Sequence, residues 1–252
     1  LPDMRGRYYL FPMLDGWTSV FQVPGARTPG TGAQTYAITG PGWKGTLPAG
    51  VKEYKSPTSL VWLLGRIYCT GTPEDYAAVH ALQDQCKLVP LSAWGKDYTP
   101  PAATVDPKVD MKTAVREQVN ALDAVSYFTL LAELMKTNPP TPADAAAVAR
   151  FARIGLVPGQ DFDKSKLNAD FVARIPHAAF DRIMLQLKVG KPVKNVNGWL
   201  YDTVTGLYGT DYLNRALVTA IGLGANRPQD AIYPMSMKDA SGSDYDGKNK
   251  YV

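Results

Sequence analysis

Along the first seventy residues, apolar and aromatic side chains gather in short runs rather than at helical spacing. Tyr8-Tyr9-Leu10-Phe11, Thr18 to Val23, Thr35 to Thr39 and Leu60 to Tyr68 are rich in aromatic and β-branched residues, and Gly and Pro clusters part them. Runs spaced by roughly ten to fifteen residues predict an antiparallel sheet or sandwich rather than βαβ units.

The period then changes. Thr72-Pro73-Glu74-Asp75 opens a helix: Thr caps, Pro takes the first helical position, and the acid three residues on can reach back to the cap. Thr141-Pro142-Ala143-Asp144 repeats the device. Between them Val115, Val119, Leu122, Val125, Phe128 and Leu131 step by three and four, predicting one helix over Lys112 to Lys136 that Asn138-Pro139-Pro140 stops. With the helix after Thr141 it makes an αα-hairpin closed by Gly155. Further helices are expected from Ala169 to Lys188, interrupted at Pro176 and ended by Gly190, and from Thr205 to Ala225, with Leu213, Leu217, Ala220 and Ile221 on one face. Ala231-Ile232-Tyr233 reads as strand, and Lys238 to Lys250, with Asp246-Gly247, as a hairpin turn into a last strand. The fold class is α+β: an antiparallel sheet or sandwich with an inserted helical segment.

Composition narrows the partners. A net charge of +4 in 252 residues, with Lys and Arg scattered, gives no nucleic-acid footprint, and no apolar run is long enough to span a membrane. Cys69 and Cys86 read as free packing thiols rather than a disulfide framework. The opening Leu1-Pro2-Asp3 and the closing strand-like Lys250-Tyr251-Val252 predict a piece of a longer protein.

The search for chemistry begins with exclusions. His80 and His177 have no ligand-spaced companions, so no metal and no cofactor is expected. No nucleophile elbow occurs, and Asp244-Tyr245-Asp246-Gly247 lacks the oxygens of a calcium loop. The glycines of TGAQTYAITGPGWKGTLPAG (residues 31–50) look like a phosphate cradle, but each cluster is followed by strand or loop, not by a helix N-terminus. They predict two turns framing a strand at Tyr36 to Thr39, with Trp43 beyond the second. What remains is a density of polar and aromatic residues. Arg7, Tyr9, Asp15, Trp17 and Arg66 are candidates from the sheet, and Tyr208, Asp211 and Arg215 from the late helix, the last two spaced for an i,i+4 pair. Aromatic plates beside Arg and Asp suit a small polar or sugar-like ligand. For the residues alone, the favoured reading is a buried salt-bridge and hydrogen-bond network knitting helix to sheet.

Several stretches resemble a bacterial and archaeal family of uncharacterised proteins in which domain of unknown function 1254 precedes domain of unknown function 1214. They are residues 2–21, 31–50, SPTSLVWLLGRIYCTGTPEDY (56–76), VHALQDQCKLVPLS (79–92), VREQVNALDAVSYF (115–128) and GLYGTDYLNRALVTAIGLGANRPQDAIYP (206–234). The resemblance implies a first domain over residues 1–230 with its N-terminal part missing. Residues 231–252 would begin a second, β-sandwich-like domain that is mostly absent. It also implies a periplasmic or secreted setting, and it brings no reaction or catalytic residues. Two functions are therefore expected to compete. One is binding or processing of a small polar or carbohydrate-like compound; the other is a non-catalytic homo-oligomer of the cell envelope.

Overall fold

The computed structural model describes residues 1–189 and 193–248, and side chains in that range except 170, 171, 173–177 and 187–189. The expected endings at Gly190 and Lys250 to Val252 lie outside the described residues. The fold is α+β, in two compact units. The first comprises residues 1–17 and 21–176; the second comprises 18–20 and 177–252.

In the first unit, short strands form small sheets. β1 (Tyr9–Leu10) pairs antiparallel with β7 (Arg66–Ile67), and β2 (Met13–Asp15) lies between β3 (Val20–Gln22) and β6 (Val61–Leu63). The predicted strand over Leu60 to Tyr68 is thus two. At Leu64-Gly65 the chain leaves β2 for β1, and a Cβ at Gly65 would sit 2.6 Å from the Phe11 ring. Only glycine clears that crossing. β4 (Tyr36–Thr39) falls where the 31–50 stretch predicts it, but it pairs parallel with β5 (Lys52–Lys55). The loop over residues 40–51 carries the chain back to start β5 beside the start of β4, which no two-residue turn allows. Trp43 folds over its own loop: a Cβ at Gly45 would stand 2.6 Å from its ring.

α1 (Pro73–Gln83) starts at Thr72, whose hydroxyl accepts from the Asp75 N–H. The predicted 112–136 helix is instead α2 (Val115–Asn120) and α3 (Ala124–Thr137). Asp123 divides them, because its carboxylate accepts from both the N–H and the hydroxyl of Ser126 and so starts a new helix. α4 (Ala145–Phe151) follows Thr141, whose N–H and hydroxyl donate to Asp144, and Gly155 closes the αα-hairpin at φ +84°. Among the described residues, one buried cluster joins Leu82 of α1 to Met4 and Tyr9, and another joins Ala132 and Met135 of α3 to Leu156, the latter ringed by Trp17, Phe128 and Phe162.

α5 (Ala169–Val189) runs through Pro176 without the expected interruption; proline's fixed φ fits a helix, and the helix forgoes the one i→i−4 bond that proline cannot donate. In the second unit, β8 (Lys194–Val196) and β9 (Trp199–Tyr201) make a hairpin about Asn197-Gly198, both at positive φ. Asn-Gly is the strongest short hairpin signal, and it is absent from the pattern read above. The helix predicted from Thr205 starts only at α6 (Tyr212–Ile221), because Gly206 and Gly209 hold positive φ until Asp211 caps it. No strand forms at Ala231 to Tyr233. Pro234 lacks a donor, and pairing begins one residue later, at an isolated Met235–Leu200 bridge. Val20 belongs to this unit by its bonds: its N–H donates to the Gly206 carbonyl at 2.9 Å, and its carbonyl accepts from the Arg227 guanidinium.

Candidate functional site

Residues 4–7 form a tight turn: Arg5 (φ +52°) and Gly6 (φ +78°) are left-handed, and the Arg7 N–H closes it on the Met4 carbonyl at 2.9 Å. Positive φ at both central positions is the type I′ pattern. This turn faces α1 across a cavity of about 520 Å³, within the range of small-molecule sites. The floor is apolar, from Met4 and Leu82. The α1 wall is low, because Ala78 and Ala81, one helical step apart, leave the space a longer side chain would fill. Arg5, Tyr68, Thr70 and Gln85 supply polar groups around it.

Arg7 and Asp75 join the turn to α1. Arg7 Nη2 donates to Asp75 Oδ1 at 2.6 Å and Nη1 to Oδ2 at 3.1 Å; Nη1 also reaches the Tyr68 carbonyl at 2.8 Å. The Thr70 N–H adds a third bond to Asp75, at 2.6 Å. The Arg7 guanidinium first, and the Thr70 amide next, hold the Asp75 carboxyl well below the usual carboxylate range. A carboxylate so committed accepts no proton near neutrality, so Asp75 orients rather than acts as a base. In return, the bonds to Asp75 push the Arg7 guanidinium up, against the opposing effect of burial. The contrast with Thr141 is instructive. There the acid three residues on closes back on its own cap; at Thr72 the corresponding acid is drawn away by an arginine 68 residues earlier.

The other candidates from the sheet take separate places. Tyr9 is 1% exposed and lies in the cluster beneath the cavity; its hydroxyl donates to the Gly30 carbonyl and accepts from Gln34, both at 2.8 Å. Burial raises its pKa. Asp15 is buried and accepts from the Trp17 N–H, while the Trp17 indole donates to the Pro139 carbonyl at 3.1 Å. Arg66 stands on the edge pair opposite Leu10. In the second unit, Tyr208 is buried, Asp211 accepts from the Asn214 N–H, and Arg215 donates to the Gly209 carbonyl at 2.8 Å with its guanidinium 5.7 Å from the Tyr212 ring. The i,i+4 spacing of Asp211 and Arg215 does not become an ion pair: the carboxylate accepts at the cap and the guanidinium turns to the Gly209 carbonyl.

Of the sheet and helix candidates, Arg7 alone lines the cavity. The sequence pattern singles out neither Asp75 as its partner nor the small α1 wall. The available signal was Ala78, Ala81 and Gln85 at helical spacing on a helix whose start is well marked. Cys69 and Cys86 are both free thiols, and burial pushes the Cys86 thiol up. Among the described residues no cluster of His, Cys, Asp and Glu could hold a metal, and no helix is long and apolar enough to cross a membrane.

A search of curated proteins finds no match. Among solved structures the chain is similar to the VPA0106 protein from Vibrio parahaemolyticus, with a TM-score of 0.63 at 21% identity over 98% of this chain; it spans 58% of that one. That likeness is one of fold. Residues 1–90, which contain the turn, Asp75 and α1 alike, match the family described as Protein of unknown function (DUF1254).

Proposed function

We propose that the protein binds a small polar or carbohydrate-like compound in the cavity between the 4–7 turn and α1. The observation that carries this reading is the combination of an apolar floor, a wall kept low by Ala78 and Ala81, and a polar rim, at a volume suited to a small molecule. The Arg7–Asp75 pair fixes the two walls relative to one another, so the site is formed before a ligand arrives. Saturation-transfer NMR with a panel of sugars, sugar acids and small organic acids tests it. Signals are expected from the wild type and not from Ala81→Leu, a substitution at an exposed helical position that fills the cavity. Signals equal in both proteins would overturn the assignment. The resemblance to exported proteins adds a periplasmic setting and a following domain of unknown function 1214, to be checked by fractionating cells that express the native gene.

A second reading, a non-catalytic homo-oligomer of the envelope, is favoured by the segment between α1 and α2. There Leu88, Val105 and Met111 are each at least 77% exposed, and Val115 at the start of α2 is 75% exposed. Such apolar exposure on a long irregular segment suits a partner surface. Sedimentation velocity at micromolar concentration would return a dimer or larger species under this reading, and a monomer would end it.

A further inference from the structure

We infer that the group recognised in this cavity is an organic monoanion, a carboxylate carried on a short apolar body, and that Arg5 receives it. This rests on the ligand-binding reading above and gives that ligand its chemical class. The charges around the cavity are Arg5, Arg7 and Asp75, a sum of one positive charge. Arg7 and Asp75 cancel each other through two hydrogen bonds. Arg5 has no such partner among the described residues: its backbone N–H is held by Asp3 Oδ1 at 2.7 Å, and its guanidinium is left over. Asp3 gives one oxygen to that backbone bond and does not line the cavity.

The backbone presents the residue deliberately. An arginine at φ +52° sits where glycine is at ease, at a cost of about 1–2 kcal/mol. The turn sets Arg5 in the lining of the cavity, which Thr70 and Gln85 share. A guanidinium offers two parallel N–H donors, the geometry a carboxylate matches. Below it the surface changes character: Met4 and Leu82 form the floor and the two alanine methyls form the wall, with nothing to hydrogen-bond a hydroxyl. A neutral sugar would leave its hydroxyls unpaired there, and an inorganic phosphate would leave the floor uncovered. An acid with a body of a few carbons satisfies both halves.

The experiment is isothermal titration of four proteins, the wild type, Arg5→Gln, Arg5→Lys and Ala81→Leu, with hexanoate, 1-hexanol, hexylamine and inorganic phosphate. Hexanoate is expected to bind the wild type most tightly. Arg5→Gln should weaken it about 10- to 100-fold, the loss of a charge-assisted pair. Arg5→Lys should retain part of the affinity, and Ala81→Leu should abolish it. Equal binding of hexanoate and 1-hexanol, no effect of Arg5→Gln, or phosphate binding as tightly as hexanoate would each overturn the monoanion assignment while leaving a ligand site. If no probe binds and the panel of the preceding section is silent as well, the ligand-binding reading itself falls. Circular dichroism of each variant confirms that a lost signal is not a lost fold.

Discussion

Asn138 offers the sharpest quantitative test of how the helices are fastened to the sheet. It ends α3 and is 8% exposed. Its Oδ1 accepts from the Leu60 N–H at 2.8 Å, just before β6, and its Nδ2 donates to the Leu134 carbonyl at 2.8 Å, which also accepts from the Asn138 backbone N–H near the helix end. One side-chain amide therefore closes both a helix and a strand entry. Asn138→Ala orphans the Leu60 N–H, which costs about 1–3 kcal/mol in a buried setting. Leu60 itself is 58% exposed, so water replaces part of that bond and the lower half of the range applies. Leu134 keeps its bond from the Asn138 backbone N–H at 3.0 Å, which limits the second loss to about 0.5 kcal/mol. The sum is about 2 kcal/mol, or a fall in melting temperature of about 4–8 °C for a chain of this length.

Asn138→Asp separates the two halves of that sum. It retains an acceptor for Leu60 but sets a carboxylate oxygen where the amide NH₂ faced the Leu134 carbonyl. Two acceptors in contact repel, so at neutral pH this variant should be the less stable of the two. Lowering the pH protonates the new carboxyl, lets it donate to Leu134, and should restore much of the loss; the stability recovered appears below the raised folded-state pKa. Urea unfolding followed by circular dichroism, with midpoints and m-values compared, measures both effects. An Asn138→Ala variant within about 0.5 kcal/mol of wild type, or an Asn138→Asp variant as stable as the alanine at neutral pH, would refute the reasoning.

Three further outcomes follow from other contacts. The folded-state pKa of Asp75 lies below its unfolded value, so the stability it contributes is complete above that value and is lost as the pH falls through the folded one. The gap in urea midpoint between wild type and Asp75→Asn should accordingly shrink between about pH 5 and about pH 2, and a gap independent of pH would exclude the ion pair as its cause. Thr18 is β-branched at φ +65° and its buried hydroxyl has no partner among the described residues, so Thr18→Gly should stabilise by about 1 kcal/mol in thermal unfolding, where wild-type stability or less would contradict the strain. At Gly155 a Cβ would stand 2.1 Å from the Asp163 carbonyl, and Gly155→Ala should cost about 2–4 kcal/mol; a loss under 1 kcal/mol would mean that the loop gives way freely.

These contacts mark the limit of what the residue pattern can carry. Helix starts were legible where a Thr-Pro pair marks the cap. Thr72-Pro73, Thr141-Pro142 and the glycine stop at 155 all act within a few residues and mark these helix ends as read, although Asp75 does not close back on its cap as Asp144 does. Asp123 is just as local, yet the unbroken three- and four-step apolar rhythm across it masks the cap, since periodicity reports a face and not a backbone junction. The split of the Leu60 to Tyr68 run was illegible for a different reason. It depends on Phe11 lying over Gly65, and strand partnership is settled by residues remote in sequence. The cavity has the same origin. Arg7 is conspicuous beside its aromatic neighbours, but what it does is set by Asp75, an acid that local pattern assigns to a capping box. The two roles compete for one carboxylate. A bidentate cationic partner with a third bond from Thr70 outweighs a single N–H at the helix cap, because three hydrogen bonds and an opposite charge replace one bond. That choice leaves Arg7 neutralised and Arg5 the cavity's unmatched charge, so the least conspicuous arginine of the opening turn becomes the one a ligand would meet.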